Sequence, residues 1–303
     1  MDVDLLSHEG RFTLRFERRL AHPPEKVWRA LTEREHLSQW YPFSAMEIDL
    51  RTGGAIRFDD GEGSTLEAVI TELDPPRVFA FRTPAGEMLD REGDNLLHFE
   101  LRPDDEGSLL VFTHTFDDRP AAASYAAGWT LCLDALEMVV EGRPVEWGSP
   151  PAELHEAFVE KFGLNVGSTE DTPEGWLVRF ERQFMGASID QVWATLNASG
   201  PGVPTGEASS LMVGGPVLQA FTTEKVPPGA VTAVDPPTLL EYEWQFEGRT
   251  AGRVRWELSH GPGGARLTLT QTGPGELAGE RSTALAAWQT HIERLARQLQ
   301  GEQ

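Results

Sequence analysis

One phrase occurs twice in this chain, and it constrains the fold more than any other feature. "FERRLAHPPEKVWRAL" begins at Phe16, and "FERQFMGASIDQVWATL" begins at Phe180. Three further blocks return in the same order: an Asp-Pro-Pro turn followed by a strand pattern, a pair of long strand patterns, and a helix pattern with one tryptophan. Four matched blocks in matched order indicate a tandem duplication. The 303-residue chain is therefore predicted to form two domains, residues 1–168 and 169–303.

Apolar periodicity predicts the same element order in each half. In "RFTLRFERRL", Phe12 and Phe16 share one side with Leu14, which is the period-2 signature of a half-buried strand. Short helices and then about six closely spaced strand patterns follow, separated by Gly, Pro and Asp. The last element of each half is a helix with an apolar stripe, containing Trp129 in the first copy and Trp288 in the second. This order is typical of an α+β fold.

Capping and linker signals divide the chain further. Thr32 with Glu35 forms a capping-box pattern, and Ser188 with Gln191 offers the same box in the second copy. Between the copies, "PPAELHEAFVEKFGL" predicts an extra helix packed on the first domain. The polar stretch "NVGSTEDTPEG" after it is predicted to be the linker, which places the domain boundary near residue 168.

The element order also predicts an interior space. A twisted antiparallel sheet of six or seven strands curls, and one long helix with an apolar stripe can lie across its concave side. Ala122 and Ala126 give the first of these helices little bulk near its start. Either the sheet approaches the helix closely at that end or a cavity remains there, and such a cavity would be mainly apolar.

These blocks resemble a known superfamily. The motifs are "HPPEKVW", "QWYP", "RTGGAIRF", "ELDPPRVFAF" and "AAGWTLCLDALE". They are similar to the SRPBCC (START-like, helix-grip) superfamily, and specifically to the C-terminal domain of the heat-shock protein 90 ATPase activator. The resemblance is good for residues 10–142 and looser for residues 175–300, where the segment matching "HLSQWYP" is replaced.

The resemblance implies tandem helix-grip (START-like) domains, each a curved antiparallel sheet wrapped around a long C-terminal helix. It also implies an apolar cavity, used in such proteins for ligand binding, for polyketide cyclase or aromatase chemistry, or for contact with a chaperone. We interpret the chain first as a binding protein for an apolar or aromatic small molecule. A chaperone-associated interaction protein is the alternative, and a cyclase-type enzyme is a less favoured one.

The ligand is expected mainly in the first domain. The candidate lining residues are aromatic, small or polar side chains on the strands and helices expected around the cavity. They are Trp40, Phe43, Phe58, Phe81, Phe99, Phe112, His114, Tyr125, Ala126 and Trp129. Strand alternation leaves open which of Phe81, Phe99 and Phe112 points inward, but it places His98 on the opposite side from its apolar neighbours.

Reactive groups are sparse. Only His114, Tyr125 and Arg82 offer polar candidates for a catalytic cavity, and we predict no catalytic residues. The single cysteine, Cys132, lies on the helix stripe, where a buried thiol carries little thiolate. The histidines are scattered without zinc-ligand spacing, so neither a metal nor a cofactor is predicted.

The formal charge of −22 excludes several partner classes. Nucleic acids and anionic membrane surfaces both require a concentrated basic patch, and the sequence has no run of Lys or Arg that would make one. No segment reaches the roughly 20 apolar residues that span a bilayer. The acidic N-terminus lacks an apolar signal region, so a cytoplasmic location is predicted.

Overall fold

The computed structural model describes residues 3–59, 61, 63–83, 94–105, 107–148, 151–198 and 211–301. The chain divides into two compact units, Met1–Phe158 and Val159–Gln303. The division falls inside a helix, α4 (Ala152–Lys161), and the boundary near residue 168 stays a prediction. That each half folds by itself stays a prediction.

The first unit is an antiparallel sheet with a long helix after its last strand. Its strands are β1 (Val3–His8), β2 (Arg11–Leu20), β3 (Ser44–Ile48), β4 (Ala55–Asp59), β5 (Thr65–Asp74), β6 (Val78–Thr83), β7 (Asn95–Asp104) and β8 (Gly107–Phe116). Its helices are α1 (Pro24–Thr32), α2 (Arg34–Trp40) and α3 (Ala122–Glu141). The strand order is β1-β2-β8-β7-β6-β5-β4-β3, so the chain's second and eighth strands lie side by side.

The register of the sheet brings its aromatic residues to one face. Phe99 on β7 pairs with Phe79 on β6 and with Phe112 on β8. Phe112 pairs in turn with Phe16 on β2. Because side chains alternate along a strand, Phe81 shares this face too, and all of them are buried. The three phenylalanines that alternation could not orient therefore all point inward.

Helix α3 closes this face as its apolar stripe predicted. Trp129 and Leu136 are buried along it, and the Trp129 ring lies 4.5 Å from the Phe112 ring. The helix ends at Gly142, which has a left-handed φ of 75°. The Gly142 amide bonds to Val139 O and the Arg143 amide to Met138 O, so two terminal carbonyls are satisfied.

The second unit repeats this architecture with fewer strands. Its strands are β9 (Ser168–Thr172), β10 (Gly175–Met185), β11 (Pro228–Asp235), β12 (Leu239–Phe246), β13 (Arg249–Gly261) and β14 (Gly264–Pro274). Its helices are α5 (Ile189–Ala198) and α6 (Glu280–Leu299). The sheet is antiparallel in the order β11-β12-β13-β14-β10-β9, and α6 follows its last strand in sequence.

Two expectations about the strands are wrong, and one further strand was not predicted. The stretch expected to be a linker contains β9, which pairs with β10 through Thr172 and Gly175. Its side chains are polar, so no apolar alternation marked it as an edge strand. Within the described residues of the second unit, four strands rather than about six lie between α5 and α6. Strand β1 was not predicted either, and it adds an edge beside β2.

The two capping boxes have different outcomes. In the second unit the box forms, because Ser188 N donates to Gln191 Oε1 at 2.7 Å and Gln191 N donates to Ser188 Oγ at 3.1 Å. In the first unit it does not form. The Thr32 hydroxyl donates to Trp28 O inside α1, and Glu33 is the N-cap of α2 without a side-chain cap.

The Gly-Gly pairs form the same turn in both units. Gly53 N donates to Ile70 O at 2.8 Å, and Ile70 N donates to Gly54 O at 2.9 Å. Gly214 and Gly215 make the matching pair of bonds with Val231, at 2.8 and 3.0 Å. The duplication therefore preserves backbone contacts as well as sequence.

Candidate functional site

Aromatic rings line the inner face of the first unit's sheet in a continuous series. The ring of Phe99 lies 4.6 Å from that of Phe112 and 5.9 Å from that of Trp40. Tyr41, at the end of α2, stacks on Phe58 at 4.7 Å and extends the series toward β4. Each contact is within the range of favourable aromatic pairs. The structure thus brings together the predicted aromatic residues of sheet and helix.

Trp40 is held in place from its polar end. Its indole N–H donates to Ala30 O at 2.8 Å, and only 1% of the residue is exposed. This bond ties α2 to α1, so Trp40 contributes packing to the inner face. Phe43, three residues later, is half-buried and its ring lies 6.0 Å from Tyr41.

A polar node stands at the other end of the aromatic series. Trp129 on α3 donates its indole N–H to His114 Nδ1 at 3.0 Å. The other ring nitrogen, His114 Nε2, lies 2.8 Å from Asn95 Oδ1. Since an indole nitrogen can only donate, Nδ1 must accept and Nε2 must carry the proton. The imidazole is therefore neutral, with a fixed tautomer.

Burial keeps the imidazole neutral over a wide pH range. Burial, together with a smaller contribution from the positive charge of Arg11, lowers the pKa of His114 from 6.5 to about 3. Both ring nitrogens have partners in the same arrangement. A histidine held this way is a poor acid or base near neutral pH, but it can position a neighbouring group.

One flank of α3 opens beside the node. Tyr125, Gly128, Trp129 and Cys132 follow the i, i+3, i+4, i+7 spacing, so they lie along one side of the helix. Tyr125 and Gly128 are half-buried, and a Cβ added at Gly128 would meet nothing within 4 Å. The Tyr125 ring lies 4.8 Å from that of His114, so this flank leads directly to the polar node.

The remaining candidates take separate positions. Ala126 is fully buried on α3. Arg82 is exposed and bonds to Asp94 at 2.6 Å, on the opposite side of β6 from Phe81. The three polar groups considered for a catalytic cavity are therefore not brought together, because Arg82 lies on the outer face.

Two other sequence expectations concern single residues. His98 lies on the outer face, half-buried and 3.6 Å from Glu72, as alternation predicted. Burial raises the pKa of the Cys132 thiol to about 12, so it carries little thiolate. Among the residues that the structure describes, no three His, Cys, Asp or Glu side chains converge as a metal ion would require.

The second unit keeps the helix-to-strand bond but changes the acceptor. Trp288, the counterpart of Trp129, donates its indole N–H to Gln271 Oε1 at 2.6 Å. Gln271 occupies the position of His114 on the last strand. This contact was not predicted from the sequence, although an alignment of the two repeats matches Gln271 with His114 and Trp288 with Trp129.

A curved antiparallel sheet, a long C-terminal helix on its inner face and two such units in tandem define a helix-grip protein of the SRPBCC superfamily. The family model described as "Activator of Hsp90 ATPase homolog 1-like protein" matches residues 21–141 and 187–300. The chain belongs to this family, with one copy in each unit. None of the curated proteins matches it.

Several solved structures are similar in fold. DynU16, from the dynemicin biosynthetic locus, is 17% identical with a TM-score of 0.42, covering 95% of this chain and 98% of its own. CalU16 from Micromonospora echinospora is 19% identical with a TM-score of 0.41, covering 54% and 94%. Protein CV1439 from Chromobacterium violaceum is 26% identical with a TM-score of 0.37, covering 43% and 96%.

No helix in the described ranges has both the length and the apolar character needed to cross a membrane.

Proposed function

We propose that the first unit binds an apolar or aromatic small molecule between α3 and the concave face of its sheet. The observation that carries this proposal is the ring series running from Phe58 through Tyr41, Trp129 and Phe112. Stacked and tilted rings of this kind offer flat apolar surface to an aromatic ligand. The ligand enters along the flank of α3 that carries Tyr125 and Gly128.

The half-buried residues support this route. Phe43 and Tyr125 are the two predicted lining residues that keep partial exposure, whereas the other predicted aromatic side chains are buried. Tyr41 joins Phe43 to Trp129, with ring separations of 6.0 Å on each side. An entering ring would therefore exchange contact with water for contact with aromatic side chains, which is the favourable term in such binding.

The polar node of His114, Asn95 and Trp129 indicates which ligand charge the site can accommodate. His114 is neutral and both its nitrogens are engaged, so it offers no charge to an ionised ligand. Burying an unpaired ligand charge among aromatic rings is costly. We therefore infer an uncharged ligand.

A binding titration with the neutral fluorescent probe N-phenyl-1-naphthylamine tests the proposal. Gly128→Phe places a ring in the open space on the flank, and Gly128→Ala is the matched control that changes only helix propensity. We expect the control to bind like the parent protein and Gly128→Phe to bind at least tenfold more weakly. Both variants should fold, because alanine and phenylalanine each have a higher helix propensity than glycine and a Cβ at this position meets no other atom within 4 Å.

Two results would count against the proposal: a parent protein that does not bind the probe, or a Gly128→Phe variant that binds it unchanged. Native mass spectrometry of freshly purified protein complements the titration, because a ligand retained from the host would appear as an added mass.

Chaperone contact is the second candidate function, and the description of the family model is what favours it. Co-purification with a heat-shock protein 90 chaperone, compared between parent and Gly128→Phe, separates the two. A chaperone contact that does not use the cavity would survive the substitution. Cyclase chemistry has less support, because His114 is held neutral and Arg82 lies on the outer face.

A further inference from the structure

Gln271 in the second unit uses only one of the two polar atoms of its side chain. The residue is fully buried, and its Oε1 accepts the indole N–H of Trp288 at 2.6 Å. That bond fixes which end of the amide is oxygen, because an indole nitrogen can only donate. The amide nitrogen, Nε2, is completely buried and has no hydrogen-bond partner among the described residues. A buried donor without a partner is unfavourable, so this atom points to a missing acceptor.

The surroundings of Gln271 are apolar and aromatic. On the sheet it pairs with Val178 on one side and Val254 on the other, and both are fully buried. Trp256 lies one diagonal step away on the same face, and its ring is 5.7 Å from the ring of Trp288. The unused donor therefore lies among rings and branched aliphatic side chains.

Comparison of the two units shows which side chains next to Gln271 are smaller than those next to His114. In the first unit, the Tyr125 ring packs against His114 at 4.8 Å and against Phe116 at 5.0 Å. The counterparts of Tyr125 and Phe116 in the second unit are Ala284 and Gly273, which have no ring. Two rings that cover the acceptor residue in the first unit are thus absent beside Gln271.

Two tryptophans take up part of this difference, but neither bonds to Gln271. A Cβ added at Gly273 would lie 2.2 Å from the Trp176 ring, and one added at Gly252 would lie 2.6 Å from Trp244 Nε1. The Trp176 indole donates to Leu277 O at 3.1 Å, and the Trp244 indole donates to Thr272 O at 2.6 Å. Both indoles thus bond to backbone carbonyls and leave the Gln271 amide nitrogen without an acceptor.

We propose that the second unit has a binding site of its own, in which Gln271 Nε2 donates to the carbonyl oxygen of a neutral aromatic molecule. An acceptor is required because Nε2 is a donor. The molecule is neutral because a buried charge among these side chains would be unpaired. It is aromatic because Trp256 and Trp288 supply ring surface on the same side as the amide. This site does not depend on the one proposed for the first unit.

A pair of probes tests the proposal on the full-length chain. Fluorenone has a carbonyl oxygen, and fluorene has the same ring frame without it. Measurements are made in the Gly128→Phe background, so that binding to the first unit does not contribute. We expect fluorenone to bind at least tenfold more tightly than fluorene. We also expect its carbonyl stretching band to shift to lower wavenumber on binding, as hydrogen bonding requires.

Two variants assign this preference to the site. Gln271→Met removes the donor at nearly constant size, and Ala284→Tyr restores the ring found in the first unit while keeping the bond between Gln271 and Trp288. Each should abolish the preference for fluorenone. Gln289→Met is the matched control. Gln289 is a half-buried glutamine on α6, the helix of Ala284, and its side chain bonds to Glu293 rather than to Trp288.

Three outcomes would overturn the proposal. The first is equal affinity for fluorenone and fluorene, and the second is a preference for fluorenone that both variants retain. The third is a water molecule that remains hydrogen-bonded to Gln271 Nε2 at saturating fluorenone. If Gln271→Met does not fold, Ala284→Tyr alone decides. Failure of the first-unit proposal would leave the comparison of variants readable, because any binding to the first unit contributes equally to the parent and to the variants at Gln271 and Ala284.

Discussion

The indole N–H of Trp129 and the imidazole Nδ1 of His114 lie 3.0 Å apart, joining the long helix of the first unit to its last strand. The second unit makes the same connection between Trp288 and Gln271 at 2.6 Å. One chain thus contains the same contact twice, once with an acceptor that can titrate and once with an acceptor that cannot. Each serves as an internal reference for the other.

His114→Gln should reduce the acid sensitivity of the protein. The pKa of His114 is 6.5 in the unfolded chain and about 3 in the folded protein. Between these two pH values the unfolded state therefore binds more protons. The contribution of His114 to the free energy of unfolding is therefore complete above pH 6.5, and it is lost as the pH falls toward 3. Urea titrations at pH 7 and pH 4.5 should show a smaller loss in the variant. His291, whose pKa burial lowers to about 4, titrates in both proteins and cancels in the comparison. Equal losses would contradict the prediction.

Gly54→Ala should destabilise the first unit more than Gly53→Ala. A Cβ at Gly54 would lie 1.9 Å from Asp49 O, so the backbone must move. Gly53 has a φ of 79° but open space around its Cβ, so alanine there costs roughly 1–2 kcal/mol of backbone strain. Gly215→Ala is the matched control, because its nearest atom, Met212 O, is 3.0 Å away. Thermal unfolding of the three variants would refute this ranking if Gly54→Ala were the mildest.

Ser188→Ala should lower the free energy of unfolding by about 1 kcal/mol, since it removes half of a formed capping box. Thr290→Ala is the control within the same unit, because the Thr290 hydroxyl bonds to the carbonyl of Ala286 inside its own helix. That substitution should be neutral or slightly stabilising. Chemical denaturation measures both, and equal effects would mean that the cap contributes nothing.

Cys132 should resist alkylation until the first unit unfolds. The thiol is buried and burial raises its pKa to about 12, so thiolate is scarce at pH 8. Iodoacetamide labelling across a urea gradient, followed by mass spectrometry, should therefore follow the unfolding of this unit. Rapid labelling of the native protein would show that the helix flank opens far more often than its packing suggests.

Periodicity gave most of the fold. The alternation around Phe99 and Phe112 predicted adjacent strands, and the stripe through Trp129 predicted the helix that covers them. Gly142 marked the end of that helix correctly. These features depend on which side chains must leave water, and sequence spacing records that requirement directly.

The polar parts of the candidate site could not be predicted in the same way. Asn95 meets His114 because β7 and β8 pair in one particular register, and a sequence pattern does not fix such a register to a single partner atom. Strand β9 was not predicted because its sequence, "STEDT", has no apolar face to bury. Thr32 does not cap α2 because α2 begins one residue later than the pattern placed it, with Glu33 as its N-cap, and the Thr32 hydroxyl donates to Trp28 O within α1. Arg82 lies on the outer face because it alternates with the buried Phe81, whose orientation the sequence had left open.

The tips of the Gly-Gly turns are exposed in both units. In each unit the glycine pair exchanges two backbone hydrogen bonds with one strand residue, Ile70 in the first and Val231 in the second. The exposed residues before the glycines differ completely: Arg51 and Thr52 in the first unit correspond to Met212 and Val213 in the second. A short peptide inserted at either tip would leave those backbone bonds intact, so these turns are natural positions at which to graft an epitope or a spectroscopic label onto one unit at a time.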